Sequence, residues 1–279
     1  MDALPDSIIA VIAFLVGACF GSFLNVCIAR WPVGGSVVSP ASHCPKCARP
    51  IRAWENVPIL GWIALRGRCA GCDLPISPQY PLVELLVALV WTASAVAFGP
   101  TFLALRVAVF STVLLGVAIT DAKHYTIPDG FTAFGFVWVL ATALVGLFVH
   151  EPHVFAGPFD ALIGACTGAG AIAITGWLGE MLLKREAMGF GDVTLMAVAG
   201  AALGPERALL TIFIGAALGV ATFGVVVLPA MRLAGHRGAE GSAELPMVPF
   251  GVFLAPGAII ALLFGDAMIA WYASRYFGG

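Results

Sequence analysis

The feature that most constrains this chain is a set of apolar runs too long and too poor in charge to belong to a water-soluble core. A helix needs about 18 to 20 apolar residues to cross the ~30 Å hydrocarbon layer of a bilayer. Runs of that kind occupy Ser7–Ala29, Pro81–Phe98, Thr101–Thr120, Phe131–Val149, Ala161–Gly179, Ala208–Ala230 and Phe250–Ala270. A further run, Val193–Gly204, is shorter even when begun at Met188. It reads as a short span beside a thinned or protein-lined region, or as a re-entrant segment. Composition agrees: 60% of residues are hydrophobic and 11% charged, against about 25% charged in an average soluble domain. These figures exclude a soluble enzyme, a disordered chain and a disulfide miniprotein. The net charge of −2 gives no reason to propose nucleic acid as a partner. The expected fold is an all-α polytopic membrane protein in a lipid bilayer, with about eight transmembrane helices, seven clear and one short.

Basic residues set the expected orientation. Whether the short run spans or not, eleven lysines and arginines fall on one side and three, Arg106, Arg207 and Arg275, on the other. The richer side, with Arg30, Lys46, Arg49, Arg52, Arg66 and Arg68 in one loop, is assigned to the cytoplasm. It also receives the segments around Asp121 and Asp192. The first span begins with Asp2 and Asp6 rather than basic residues, so it does not read as a cleaved signal peptide. The organisation expected is a first span (1–30), a polar cytoplasmic insert (31–80) and a larger membrane domain (81–279). No internal repeat is evident. Gly17/Gly21, Gly164/Gly168 and Gly215/Gly219 are spaced to let helices approach closely. Gly235–Glu244 reads as a loop.

Four cysteines lie in the insert as two Cys-x-x-Cys pairs, Cys44/Cys47 and Cys69/Cys72, separated by 21 residues. Two turns that each present two thiolates complete a tetrahedral sulfur set suited to Zn²⁺. The separation is marginally above the usual range for such sites. Two disulfides would need an oxidising compartment, which the charge bias argues against, and a redox pair would not explain why there are two. His43 is a weaker alternative ligand. A filled four-sulfur site has no open position, so the metal would be structural. Cys19, Cys27 and Cys166 lie inside spans and read as small buried apolar residues.

Carboxylates beside a span are costly and need a reason. Asp121 ends the third span, where an acid opposes the helix dipole, although Lys123 and His124 are near enough in sequence to offset it. Asp192 follows Gly189-Phe190-Gly191 at the entry to the short run. Gly189 and Gly191 permit close backbone approach and leave room for an extended substrate strand. Taken alone, Asp192 and Asp129 also suit helix N-caps. Two carboxylates from different helices on one membrane face are what aspartyl proteolysis requires: they share a proton, one activating water and the other protonating the products.

The segments GSFLNVCIARWP (Gly21–Pro32), CPKC, IRAWENVPILGWIALRGRC (Ile51–Cys69), CAGC, ISPQYPLVELL (Ile76–Leu86), TDAKHYTIPD (Thr120–Asp129), GFGD (Gly189–Asp192) and PFGVFLAPGA (Pro249–Ala258), in this order, resemble the bifunctional type IV prepilin peptidases, leader peptidases and N-methyltransferases among the GxGD-type membrane aspartyl proteases. Val252 stands where that pattern has a proline. The resemblance implies that Asp121 and Asp192 are the catalytic acids and Cys44, Cys47, Cys69 and Cys72 the cysteine tetrad. It implies removal of a short basic leader from type IV prepilins or pseudopilins at the bacterial cytoplasmic membrane, then methylation of the new N-terminus with S-adenosylmethionine. No glycine-rich fingerprint of a soluble methyltransferase is present. Arg30, Glu55, Asn56 and Glu84 are candidates for the methylation or substrate site. For Glu84, inside an apolar run, an ion pair with an insert arginine is the leading alternative. Glu55, Asp73 and Glu180 are candidate acids for the basic leader, Glu180 being also placed to pair with Lys184. The competing reading is a small ion or proton-coupled transporter with a zinc-stabilised cytoplasmic cap, in which Asp121, Asp192 and Glu84 would carry the ion.

Overall fold

In lipid the backbone has no partner but itself, so each apolar run closes into a helix. The computed structural model describes residues 5–149, 152–184, 188–229, 249–276 and 278; the expected loop Gly235–Glu244 lies outside them. In chain order the helices are α1 Asp6–Arg30, α2 Leu60–Ala64, α3 Gln79–Phe98, α4 Phe102–His124, α5 Asp129–Val145, α6 Pro158–Leu183, α7 Phe190–Leu203, α8 Pro205–Thr222 and α9 Gly251–Tyr276. Short 3₁₀ turns at Trp31–Val33 and Ala53–Asn56 and a π turn at Phe223–Val227 complete the regular structure. Among the described residues there is no strand, and the chain is a multi-pass membrane protein. Six helices are long and apolar enough to cross a membrane, while Asp129–Val145 and Phe190–Leu203 are shorter apolar helices. The fourth expected span is therefore shorter than its hydropathy suggested: the helix stops at Val145, and Gly146 through Phe148 turn instead of continuing it.

The chain divides into two units, Met1–Gly116 and Val117–Gly279. Within the first unit α1 and α3 pack on each other across the insert. Gly17 lies against Ala88 and Trp91, and Gly21 against the backbone of Glu84. Asn25 donates to the Tyr80 carbonyl at 3.0 Å. The sequence interruption is thus a loop emerging from a helix pair. Cys27 is buried as expected, but Cys19 and Cys166 are exposed. They sit on helix faces that no other described residue covers.

In the second unit α7 is the hub. Fourteen residues rise only about 21 Å, less than the hydrocarbon core. Its residues Leu195, Met196 and Val198–Leu203 are nevertheless buried, because protein and not lipid surrounds them. The crossing with α6 depends on missing side chains. A Cβ on Gly164 would land on the Gly200 carbonyl, and one on Gly168 on the Met196 carbonyl. Gly215 meets Leu254 in the same manner where α8 crosses α9, with Gly219 against Phe253. All three small-residue pairs therefore mark helix crossings. Beyond α7, the buried Arg207 donates to the carbonyls of Leu203 and Val154 at 2.8 Å each, and Ala156 N–H donates to the Ala202 carbonyl. These bonds fix the far end of the hub.

Gly164→Ala should destabilise the protein by at least about 2 kcal/mol through overpacking. Gly170→Ala, on the same helix with nothing within 4 Å of the added carbon, should leave it unchanged. Thermal unfolding of the two variants in detergent measures the difference.

Candidate active site

The insert is built from two copies of one small loop, a repeat the sequence reading missed. His43 bridges Pro50 across CPKC, and Arg68 bridges Pro75 across CAGC. In each loop the first cysteine's N–H bonds the residue five positions on, Arg49 or Leu74, at 2.9 Å. The residue after the second cysteine, Ala48 or Asp73, takes positive φ. The common pattern is Cys-x-x-Cys-x-x-Pro, and the proline is the signal that would have revealed it.

Together the loops gather four sulfurs within 4.8 Å of one another. Cys44 and Cys72 Sγ are 3.7 Å apart, Cys47 and Cys69 4.0 Å. A tetrahedral zinc with Zn–S bonds of about 2.3 Å needs sulfurs roughly 3.8 Å apart, so the set fits the metal, and all four cysteines are free. The N–H groups of Cys47 and Lys46 pull the Cys44 thiol down to about 6. Those of Gly71 and Cys72 likewise lower Cys69. At Cys72 the Leu74 N–H also pulls downward, but desolvation and the neighbouring sulfurs outweigh it and push the thiol up to about 11. A cation among them removes that conflict by stabilising every thiolate. His43 instead places Nδ1 3.0 Å from the Ala41 carbonyl.

Three of the four candidate methylation residues, Arg30, Glu55 and Glu84, have side-chain partners. Glu55, buried, accepts two bonds from Arg49 at 2.7 and 2.8 Å and one from the Arg52 N–H at 3.0 Å. Arg49 in turn passes close to Gly71 of the second loop. Glu55 therefore staples both cysteine loops to the 3₁₀ turn, which leaves it little capacity for a basic leader. Glu84 makes no arginine pair of the kind expected. It accepts the Ile59 N–H at 2.7 Å, with Ser22 beside it. The reason is positional: Glu84 lies on the helix face turned toward α1 and the Pro58–Leu60 bend, where the Ile59 N–H meets it; Arg49 is held by Glu55, and Arg52, Arg66 and Arg68 are exposed. Arg30 donates to the Ser36 carbonyl at 2.9 Å and closes the loop after α1. Asn56 is exposed at the end of the same 3₁₀ turn as Glu55.

The two aspartates come together in the second unit. Asp121, in the last turns of α4, is 5% exposed, whereas Lys123 and His124 point outward. Tyr125 then takes φ 54° and returns its N–H to the Asp121 carbonyl at 2.9 Å. This folds Ile127 back beneath the helix end. Ile127 meets two glycines: a Cβ on Gly191 would lie 2.8 Å from the Ile127 Cβ, and one on Gly251 3.0 Å from its Cδ1. The same Gly251 position is 2.9 Å from Asp121 Oδ2. Gly191 immediately precedes Asp192 in the first turn of α7, so the Asp121 carboxylate, the Asp192 turn and the start of α9 converge on Ile127. The two carboxylates are within electrostatic reach of each other. The Gly251 and Val252 N–H groups face Asp121, while its buried Oδ2 has no hydrogen-bond partner.

Neither Asp192 nor Asp129 is a helix cap. Gly189 occupies the N-cap of α7, three positions before Asp192, and Pro128 occupies that of α5, just before the exposed Asp129. The two glycines of GFGD also differ. Gly191 is required by contact with Ile127, whereas Gly189 has ordinary extended backbone and opens toward Asp192, its nearest neighbour at 3.9 Å from an added Cβ. Gly251 and Ile127 were not singled out from sequence; the PFG and TIPD strings were visible, but nothing local says that they touch.

Residues 15–98 match the bacterial peptidase A24 N-terminal domain, and residues 108–224 match the type IV leader peptidase family. Over 293 residues the chain is 33% identical to the prepilin leader peptidase/N-methyltransferase of Aeromonas hydrophila, covering 95% of this chain and 94% of that one. The protein of that name from Pseudomonas aeruginosa is 35% identical, covering 92% and 91%. The one from Myxococcus xanthus is 40% identical over 82% of this chain and 66% of its own. No solved structure matches. The chain belongs to the type IV leader peptidase family. The transporter reading is not favoured.

Gly251→Ala should crowd Asp121, and Gly191→Ala should crowd Ile127. Each should cut peptidase turnover at least about tenfold, the scale of a small displacement of catalytic groups. Gly189→Ala should leave thermal stability unchanged. For the metal, elemental analysis of gently purified protein should find about one zinc per chain, lost on Cys→Ser at any of the four positions.

Proposed function

We propose that this protein is a prepilin peptidase and N-methyltransferase: an aspartyl endopeptidase that removes the leader of type IV prepilins or pseudopilins and then methylates the new N-terminus from S-adenosylmethionine. The observation that carries the peptidase half is the convergence of Asp121 and the Asp192 turn on Ile127. Two carboxylates within electrostatic reach, one buried and one half-buried, cannot both ionise easily, so they hold one proton between them. The ionised member takes a proton from water as the water oxygen attacks the scissile carbonyl. The protonated member bonds the developing oxyanion, and the departing nitrogen receives its proton from the pair. Burial of Asp121 and the N–H groups at the start of α9 preorganise the site and limit side reactions.

The face beside Gly189 suits an extended peptide, since among the described residues only Asp192 Oδ2 and the Gly191 N–H lie within 4 Å of a Cβ added there. The charge bias supports a cytoplasmic-facing site in the bacterial inner membrane. A substrate with a hydrophobic helix in the bilayer and a basic leader in the cytoplasm would place its scissile bond at that depth. With Glu55 held by Arg49, Asp73 and Glu180, both exposed, are the better acids to receive the leader. The cysteine loops would hold Zn²⁺ as a structural clamp, and all of its coordination positions would be filled by protein. The names of the relatives support the methyltransferase half; the position of the methyl donor on this chain is not assigned.

Mass spectrometry of a prepilin incubated with enzyme in detergent, with and without S-adenosylmethionine, tests both halves together. The expected products are a shortened pilin without the donor and the same species heavier by one methyl group with it. Asp121→Asn and Asp192→Asn should each lower cleavage by at least about 10³-fold, as for loss of an essential acid or base, with protein abundance unchanged. Full-rate cleavage by either variant would overturn the dyad.

A further inference from the structure

The insert carries an apolar surface that its polar composition conceals. Trp54, Val57, Leu60 and Ile63 recur at every third position through the 3₁₀ turn and α2, and they are 53%, 42%, 64% and 58% exposed. An isolated exposed apolar residue needs no explanation, but four large ones within ten residues of one segment do. The opposite side of the same segment is well anchored. Gly61 packs on the Glu55 carbonyl, and Trp62 stacks over Gly67 while donating to the Ile76 carbonyl at 3.1 Å. The exposed row is therefore held outward by a rigid base.

Its depth follows from one bond. Glu84 is the sixth residue of α3, about 8 Å along the axis from Gln79, and α3 is only just long enough to cross the hydrocarbon. The Ile59 N–H bonds that carboxylate at 2.7 Å, so the start of α2 lies level with the second turn of a membrane-spanning helix. Leu82 and Leu85, within a turn of Glu84, are themselves exposed on α3. The bend that brings the chain there is strained. Ile59 sits at φ 63° and ψ −53° with the Leu60 N–H bonded to the Pro58 carbonyl at 2.6 Å, a γ-turn that a β-branched residue adopts at a cost. Exposed Arg52, Arg66 and Arg68 flank the row, and Arg49 is neutralised by Glu55.

We propose that Trp54, Val57, Leu60 and Ile63 form an interfacial anchor that enters the headgroup–acyl boundary of the bilayer, with Arg52, Arg66 and Arg68 against anionic lipid headgroups. Apolar and aromatic side chains at that depth, rimmed by arginine, match the chemistry of a monotopic segment. The Glu84–Ile59 bond sets the anchor's level, so the cysteine loops are fixed against the membrane surface by lipid as well as by α1 and α3. The inference needs only the membrane-spanning character of the chain and is independent of the peptidase assignment.

The test uses full-length protein in nanodiscs of phosphatidylethanolamine and phosphatidylglycerol, with a benzophenone amino acid placed singly as Leu60→p-benzoylphenylalanine or Ile63→p-benzoylphenylalanine. The reference is Leu15→p-benzoylphenylalanine, on the exposed face of α1. After irradiation, intact-mass analysis should show lipid adducts at positions 60 and 63 at a third or more of the Leu15 yield. A lower yield at both positions overturns the anchor. So does replacement of the lipid adducts by a peptide cross-link when a prepilin is added, which would make the row a substrate groove instead. The combined Arg52→Gln, Arg66→Gln and Arg68→Gln change should lower the phosphatidylglycerol share of the adducts at least twofold. An unchanged share removes the arginines from the proposal.

Discussion

Close backbone contact between α6 and α7 is the constraint on which the second unit depends. Helices in lipid gain little from hiding apolar side chains, so they associate where small residues let their backbones meet. Gly164 and Gly200 meet each other, and Gly168 meets Met196. That contact keeps α7 inside protein although it is too short to cross the hydrocarbon unaided. A short helix ends at a different depth from its long neighbours. Its first turn is therefore free to present Asp192 where the end of α4 presents Asp121.

Ile127 performs the local part of that arrangement. It is an ordinary apolar residue in a loop, but Gly191 and Gly251 press on it from two helices. Replacing contact by empty space at any of the three would loosen the aspartate pair without removing a charged group. The proposed site thus depends on steric fit as much as on acids, in keeping with the sensitivity of catalysis to small displacements.

The insert solves a different problem. Its fifty residues bury few of their large apolar groups and do not build a core of their own. They are held by four sulfurs suited to a metal, by the Arg49–Glu55 pair and by the bond from Ile59 to Glu84. Glu84 is the instructive case. A carboxylate in an apolar run suggested an arginine partner, but the backbone supplied the donor, because a strained bend left one N–H pointing at α3.

What sequence alone determined here is whatever depends on composition and short spacing. Apolar run length dictates helices in a membrane, since lipid offers the backbone no other partner. Cys-x-x-Cys spacing dictates a four-sulfur cluster, and glycine spacing dictates where helices cross. Asp121 and Asp192 stand out as candidates in the sequence because acids beside spans are costly. Tertiary structure alone decided that these acids share Ile127, that the two glycines of GFGD do unlike jobs, that Glu55 is consumed by Arg49, and that the fourth span is short. Each of these depends on which atoms meet across tens of residues, and no local propensity encodes that: it is settled only when whole helices find the packing in which their backbones fit.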